Sequence, residues 1–163
     1  MTSLRDTHLE IVRSIRADAL AVLEGMDYCL DWKPDTESWS AREVIYHLVD
    51  TPSGGLHSLL QGVLAGTVAE FDLVPDLTNM DQQRQDGDMV QARQDLLQVL
   101  DGIEETLSRV SDEDITGKSV VAHLKARGQD QERTPQILLE RTFARHWREH
   151  LEQLRELRDS LGV

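Results

Sequence analysis

Residues 134–162 read "TPQILLERTFARHWREHLEQLRELRDSLG", and the fold class follows from this stretch. Leu139, Phe143, Trp147, Leu151, Leu154 and Leu161 recur at helical spacing, the period of one buried helix face. Thr134 is placed to cap the first turn. Pro135 follows at the first helical position, where its missing N–H leaves nothing unsatisfied. Gly162 ends the segment as a helix-terminating residue does. A helix this long with one apolar stripe has to bury that stripe against neighbours.

Three earlier segments carry the same period. Leu4, Ile11, Ile15, Ala19, Val22 and Met26 predict a first helix over about residues 3–26. "SWSAREVIYHL" starts the second with a capping box, in which Ser40 caps, Glu43 answers it and Trp39 can pack on Val44 as a staple. Val44, Leu48, Leu56, Leu59 and Val63 carry its stripe to about Ala65. In the third, Met89, Ala92, Leu96, Leu100, Ile103, Leu107 and Val110 form a seam. Strand signals are weak throughout. The expected fold is all-α, a four-helix bundle with long connections at residues 66–87 and 111–133, in a single domain over residues 1–163. Within the second helix, Pro52, Gly54 and Gly55 predict a kink or break just past His47.

Charge excludes some partners. At −13 net, with no basic run or basic helix face, the chain has no surface to neutralise a DNA or RNA backbone, so nucleic acid is not an expected partner. An anionic membrane surface would repel it, and no apolar run reaches the roughly 20 residues of a spanning helix. The N-terminus lacks a secretory pattern, which makes a reducing cytoplasm the expected location. The one cysteine, Cys29, supplies no disulfide framework and reads as a small buried residue.

The chemistry-bearing signal is histidine. His146 and His150 lie one turn apart beside the seam of the last helix, close enough to share a divalent ion. His47 flanks the buried stripe of the second helix and could supply a third ligand if the two helices are neighbours. Three imidazoles would leave coordination positions open for water or substrate. The alternative stays open on the residues alone: histidines at a core edge, hydrogen-bonded and without a metal. "HWREH" also fits an inverted zinc-protease pattern, but a further ligand downstream has almost no chain left to come from. Glu149 there is better read as a salt bridge to Arg145. Tyr46, Asp50 and Gln153 are candidates to hydrogen-bond the ligands from behind. His8, His57 and His123 read as structural or solvent-exposed, and no catalytic residue is assigned.

Two of these stretches, "DWKPDTESWSAREVIYHLVD" and "TPQILLERTFARHWREHLEQLREL", resemble the second and last helices of the DinB-like superfamily. The resemblance covers nearly the whole chain. It implies a four-helix bundle, often a homodimer, holding a divalent ion such as Zn, Ni or Fe on His47, His146 and His150. Some relatives transfer or isomerise substrates with a low-molecular-weight thiol. The implied function is therefore a metal-dependent thiol S-transferase acting on a small electrophilic molecule. The alternatives are a non-catalytic ligand-binding or dimerisation bundle, and a metal-dependent hydrolase using the same site.

Overall fold

A computed structural model of the chain describes residues 1–162. Helix α1 (Leu4–Leu23) starts at Ser3, whose hydroxyl accepts the Asp6 N–H at 3.1 Å. A 3-10 turn at Asp27–Cys29 leads to α2 (Ala41–Val49), which opens on the capping box read from the sequence. Ser40 Oγ accepts the Glu43 N–H at 3.3 Å, and Glu43 Oε1 accepts the Ser40 N–H at 3.1 Å. Then come α3 (Leu56–Ala65), strand β1 (Glu70–Leu73), the short α4 (Gln82–Asp86), α5 (Met89–Leu107) and α6 (Asp112–Gly117). Strands β2 (Val120–Leu124) and β3 (Gln129–Arg133) precede the last helix.

That helix has three parts: α7 (Pro135–Ile137), a π-helical segment Leu138–Arg145, and α8 (His146–Leu161). The His146 N–H reaches the Arg141 carbonyl, five residues back instead of four. Helix α1 packs on α5 and α8, α2 packs on the same pair, and α3 packs on α5. This is the four-helix bundle. Its core is centred on Trp147, Tyr46, Phe143, Ile15, Leu23 and Met26, each at most 1% exposed.

The second helix is interrupted outright. After Val49 the chain leaves helical geometry, runs through a cis Thr51–Pro52 bond, and takes positive φ at Gly54 and Gly55. Pro52 has no N–H for the helical ladder, and the Gly55 N–H is spent on the Pro52 carbonyl at 2.9 Å. A side chain at Gly55 would collide with the His57 ring. Two shorter helices result where the apolar stripe reads as one.

Both long connections carry strand. β1 pairs parallel with β2, and β2 pairs antiparallel with β3, so one small sheet ties the two crossovers together. In β2 the residues Val120, Ala122 and Leu124 are buried while Val121 and His123 are half-exposed. That alternation is real but brief, and its parallel partner lies in the other crossover. Among the described residues no helix is long and apolar enough to cross a membrane.

One packing contact reverses a usual rule. Gly102 sits inside α5, where alanine normally gains about 1 kcal/mol over glycine. Here an added Cβ would meet the Cβ and Cδ2 of His57 at 2.7 Å. Gly102→Ala is expected to destabilise by about 1–2 kcal/mol, since overpacking outweighs the propensity gain. Urea unfolding checks it, and a more stable variant would refute the contact.

Candidate metal centre

Helices α2 and α8 lie side by side, and that contact brings the three histidines together. His47 is buried in the last turn of α2, while His146 and His150 are half-buried in the first turns of α8. His146 Nε2 is 3.0 Å from His47 Nε2 and 3.1 Å from His150 Nε2. One nitrogen from each residue lies within 4.8 Å of the others. The rings meet edge to face, at interplanar angles of 73°, 63° and 89°.

The outer nitrogens of His47 and His150 fix the tautomers of those two rings. His47 Nδ1 is 2.6 Å from the Leu77 carbonyl, which can only accept, so Nδ1 carries the hydrogen and Nε2 a lone pair. His150 Nδ1 likewise donates to Gln153 Oε1 at 2.8 Å. Two lone pairs therefore converge on His146 Nε2, which has at most one hydrogen to offer. A cation among the three nitrogens satisfies all of them. Ligation at ~2.0–2.1 Å with tetrahedral angles needs N···N separations of about 3.3 Å, a few tenths from those observed. The donor set fits a divalent transition metal, with the outer nitrogens of His47 and His150 held as those of ligating histidines usually are.

Burial favours the neutral form of His47 and His146, the form that ligation requires. It pushes His146 down to about 3, with His150 and His47 adding to the effect. His47 is lowered as well, by burial against the pull of the Leu77 carbonyl. Unfolded histidines titrate near 6.5. Below that pH the unfolded chain binds protons that the folded, metal-free chain refuses, so stability falls as pH drops through 6.5 towards the folded values. His8 and His57, also lowered by burial, act in the same direction, while His123, raised by Asp130, acts against it. The urea midpoint of metal-free protein is expected to be lower at about pH 5.5 than at about pH 7.5, with a smaller difference in His146→Ala. Equal differences in the two proteins would show that His146 does not contribute.

Trp39 walls the cluster, stacked on His150 at 8° with centroids 6.1 Å apart and tilted against His47 at 5.0 Å. On one side the three histidines line a cavity of about 630 Å³, floored by helix and roofed by the sheet and its loops. A smaller cleft of about 410 Å³ lies across Trp39 and His150. Of the three residues expected behind the ligands, only Gln153 is there. The Tyr46 hydroxyl donates to Asp95 at 2.7 Å, and Asp50 pairs with Arg84 at 2.5 Å, so both are engaged elsewhere.

The family model of the DinB superfamily matches residues 11–154. The chain belongs to the DinB superfamily. No curated protein matches it. Among solved structures it is similar to YfiT from Bacillus subtilis, described as a probable metal-dependent hydrolase with an unusual four-helix bundle topology. The TM-score is 0.73 at 16% identity, over 97% of this chain and 87% of YfiT, a likeness of fold.

In this DinB-superfamily chain the remaining histidines stay away from the cluster. His8 is buried in α1, His57 packs beside Gly102, and His123 on β2 bonds Asp130 at 2.7 Å. Cys29 is buried, its thiol donating to the Met26 carbonyl at 3.3 Å and its pKa raised by burial, as befits a core residue. Glu149 pairs with Arg145 at 3.4 Å, as the spacing implied. Sequence reading missed Leu77, which acts through its carbonyl and so leaves no residue-type signal. It also missed Trp39 as a wall of the cluster, because the staple pattern already accounted for it.

Proposed function

We propose that the chain is a metal-dependent hydrolase whose ion is held by Nε2 of His47, His146 and His150. The observation that carries this is the pair of tautomer-fixed imidazoles converging on His146 at the floor of an open cavity. Bound there, a divalent ion would supply Lewis acidity and lower the pKa of a water towards neutrality. The chain does the rest. Leu77 and Gln153 hold two ligands in the correct tautomer, and Trp39 packs against the His47 and His150 rings. Asp76 lies on the cavity rim, and its charge reaches His47. Unlike Glu149, it is in no ion pair among the described residues, which makes it the candidate proton acceptor.

YfiT's description favours hydrolysis over thiol transfer, which would use the same three ligands and a thiol in the open position. A panel of activated esters and amides, assayed with metal, with chelator and with added thiol, tests this. Chelation is expected to abolish hydrolysis and Asp76→Asn to lower kcat with the metal retained. Turnover that needs a thiol would replace this reading with the transferase. Turnover indifferent to metal would remove both.

A further inference from the structure

The cavity over the histidines is lined against the charge of the chain. The protein has 30 acidic and 17 basic side chains, yet Arg127, Arg133, Arg141 and Arg145 all face this one cavity. Arg145 is paired with Glu149. The other three have no carboxylate at ion-pair distance among the described residues, in a chain where carboxylates are in excess.

Arg133 stands out. It ends β3 and is 9% exposed. Nη1 donates to Thr142 Oγ1 at 2.9 Å and Nη2 to Gln131 Oε1 at 3.2 Å, both neutral acceptors. Its Nε–H is buried without a partner. Arg42, the other buried arginine among the described residues, shows what a finished site looks like. Both Asp31 oxygens accept from it, at 2.7 and 3.0 Å, and it also donates to the carbonyls of Arg84 and Gly87. A buried guanidinium stays charged and is costly without a counter-charge. Burial lowers the Arg133 pKa, and repulsion from Arg141 and Arg127 lowers it further. Thr142 and Gln131 fix the plane of the fork, while Leu73, Pro75 and Leu124 give the cavity an apolar wall. At about 630 Å³ it has the size of a small-molecule site.

We propose that this cavity binds a small organic oxyanion, a carboxylate or a phosphate, with its charged end on Arg133, flanked by Arg141 and Arg127, and its apolar body against the sheet side. That the anion is a substrate, presented to the three histidines, rests on the hydrolase reading; the anion site itself does not.

The test is calorimetric titration with benzoate, phenyl phosphate and the neutral benzamide at about pH 8, above the ordinary histidine range. It is run on metal-free and metal-loaded protein, with metal content measured in each preparation. Wild type is expected to bind a charged probe at least about tenfold more tightly than benzamide, as one charge-assisted hydrogen bond provides. Binding should also raise Tm. Arg133→Gln should lose the discrimination and Arg133→Lys should recover part of it. Because Arg133 is buried, the exposed double variant Arg127→Gln/Arg141→Gln serves as an independent probe, expected to weaken anion binding several-fold without loss of fold. Preference for benzoate assigns a carboxylate, and preference for phenyl phosphate assigns a phosphate. Equal binding of charged and neutral probes, or discrimination surviving in all three variants, overturns the proposal. Discrimination in a protein that takes up no metal keeps the anion site and removes the hydrolase reading; metal without discrimination does the reverse.

Discussion

His146→Ala is expected to abolish metal uptake. Elemental analysis after loading is expected to find about one divalent ion per wild-type chain and essentially none in the variant. His146 is the middle of the cluster, with its Nε2 at 3.0 and 3.1 Å from the other two. Losing His146 leaves His47 and His150, whose rings still meet at centroids 4.6 Å apart, but removes the one nitrogen that both of theirs approach, and two imidazoles hold a divalent ion far more weakly than three. Saturating metal stabilises a folded protein by about 4 kcal/mol at a thousand times its Kd, so the wild-type Tm should rise on loading and the variant's should not. Gln153→Ala is the graded control. It leaves all three ligands but frees the His150 ring, and affinity should fall by about 10–100-fold with stoichiometry intact. A wild type that takes up no Zn, Ni or Fe(II), or a His146→Ala that takes up a full equivalent, would sink the metal centre.

Trp147→Ala is expected to cost about 3–5 kcal/mol, a large share of a stability that seldom exceeds about 15. The indole is 0% exposed and is packed against Phe143 with centroids 5.3 Å apart. It follows His146 directly and lies at the joint between the π-helical turns and α8. The lost packing is therefore beside the metal ligands, and metal affinity should weaken as well. Its Nε1–H is buried without a partner, which offsets part of the gain from burying the ring. Trp147→Phe should accordingly cost much less, about 1 kcal/mol, since it keeps most of the apolar contact and removes the unpaired donor. Urea unfolding of metal-free protein measures both. Equal losses in the two variants would mean that the indole N–H has a role not seen here.

What the sequence made legible is what depends on local period and short spacing. The capping box at Ser40, the seam of α5 and the i, i+4 histidine pair are all properties of neighbouring residues. His47 could be added because it flanks an apolar stripe, and an apolar stripe has to face another helix. Long-range pairing left no comparable trace. β1 and β2 come from different crossovers, and each is too short for its alternation to stand out from a loop. The Leu77 carbonyl reaches His47 only because that first crossover folds back over α2. Tyr46 and Asp50 were placed by nearness in sequence to His47, yet one helix turn carries their side chains to Asp95 and Arg84. Arg133, next to the Thr134 cap, carries no residue-type signal in the sequence, and only its burial without a carboxylate sets it apart.

The π-helical turns ahead of His146 also govern how this protein can change length. An α-helix rotates ~100° per residue, so any single insertion or deletion turns everything beyond it to a new compass bearing. Wide turns are slack in that rotation, because they hold surplus chain while the helices on either side keep their bearings. Dropping the exposed Glu140 would let the segment tighten towards α geometry with both histidines still aimed at His47. Dropping the exposed Arg148, between the two histidines, would swing His150 away, and metal content tells the two deletions apart. The last helix thus has one stretch where its length is negotiable, immediately beside the stretch where it is not.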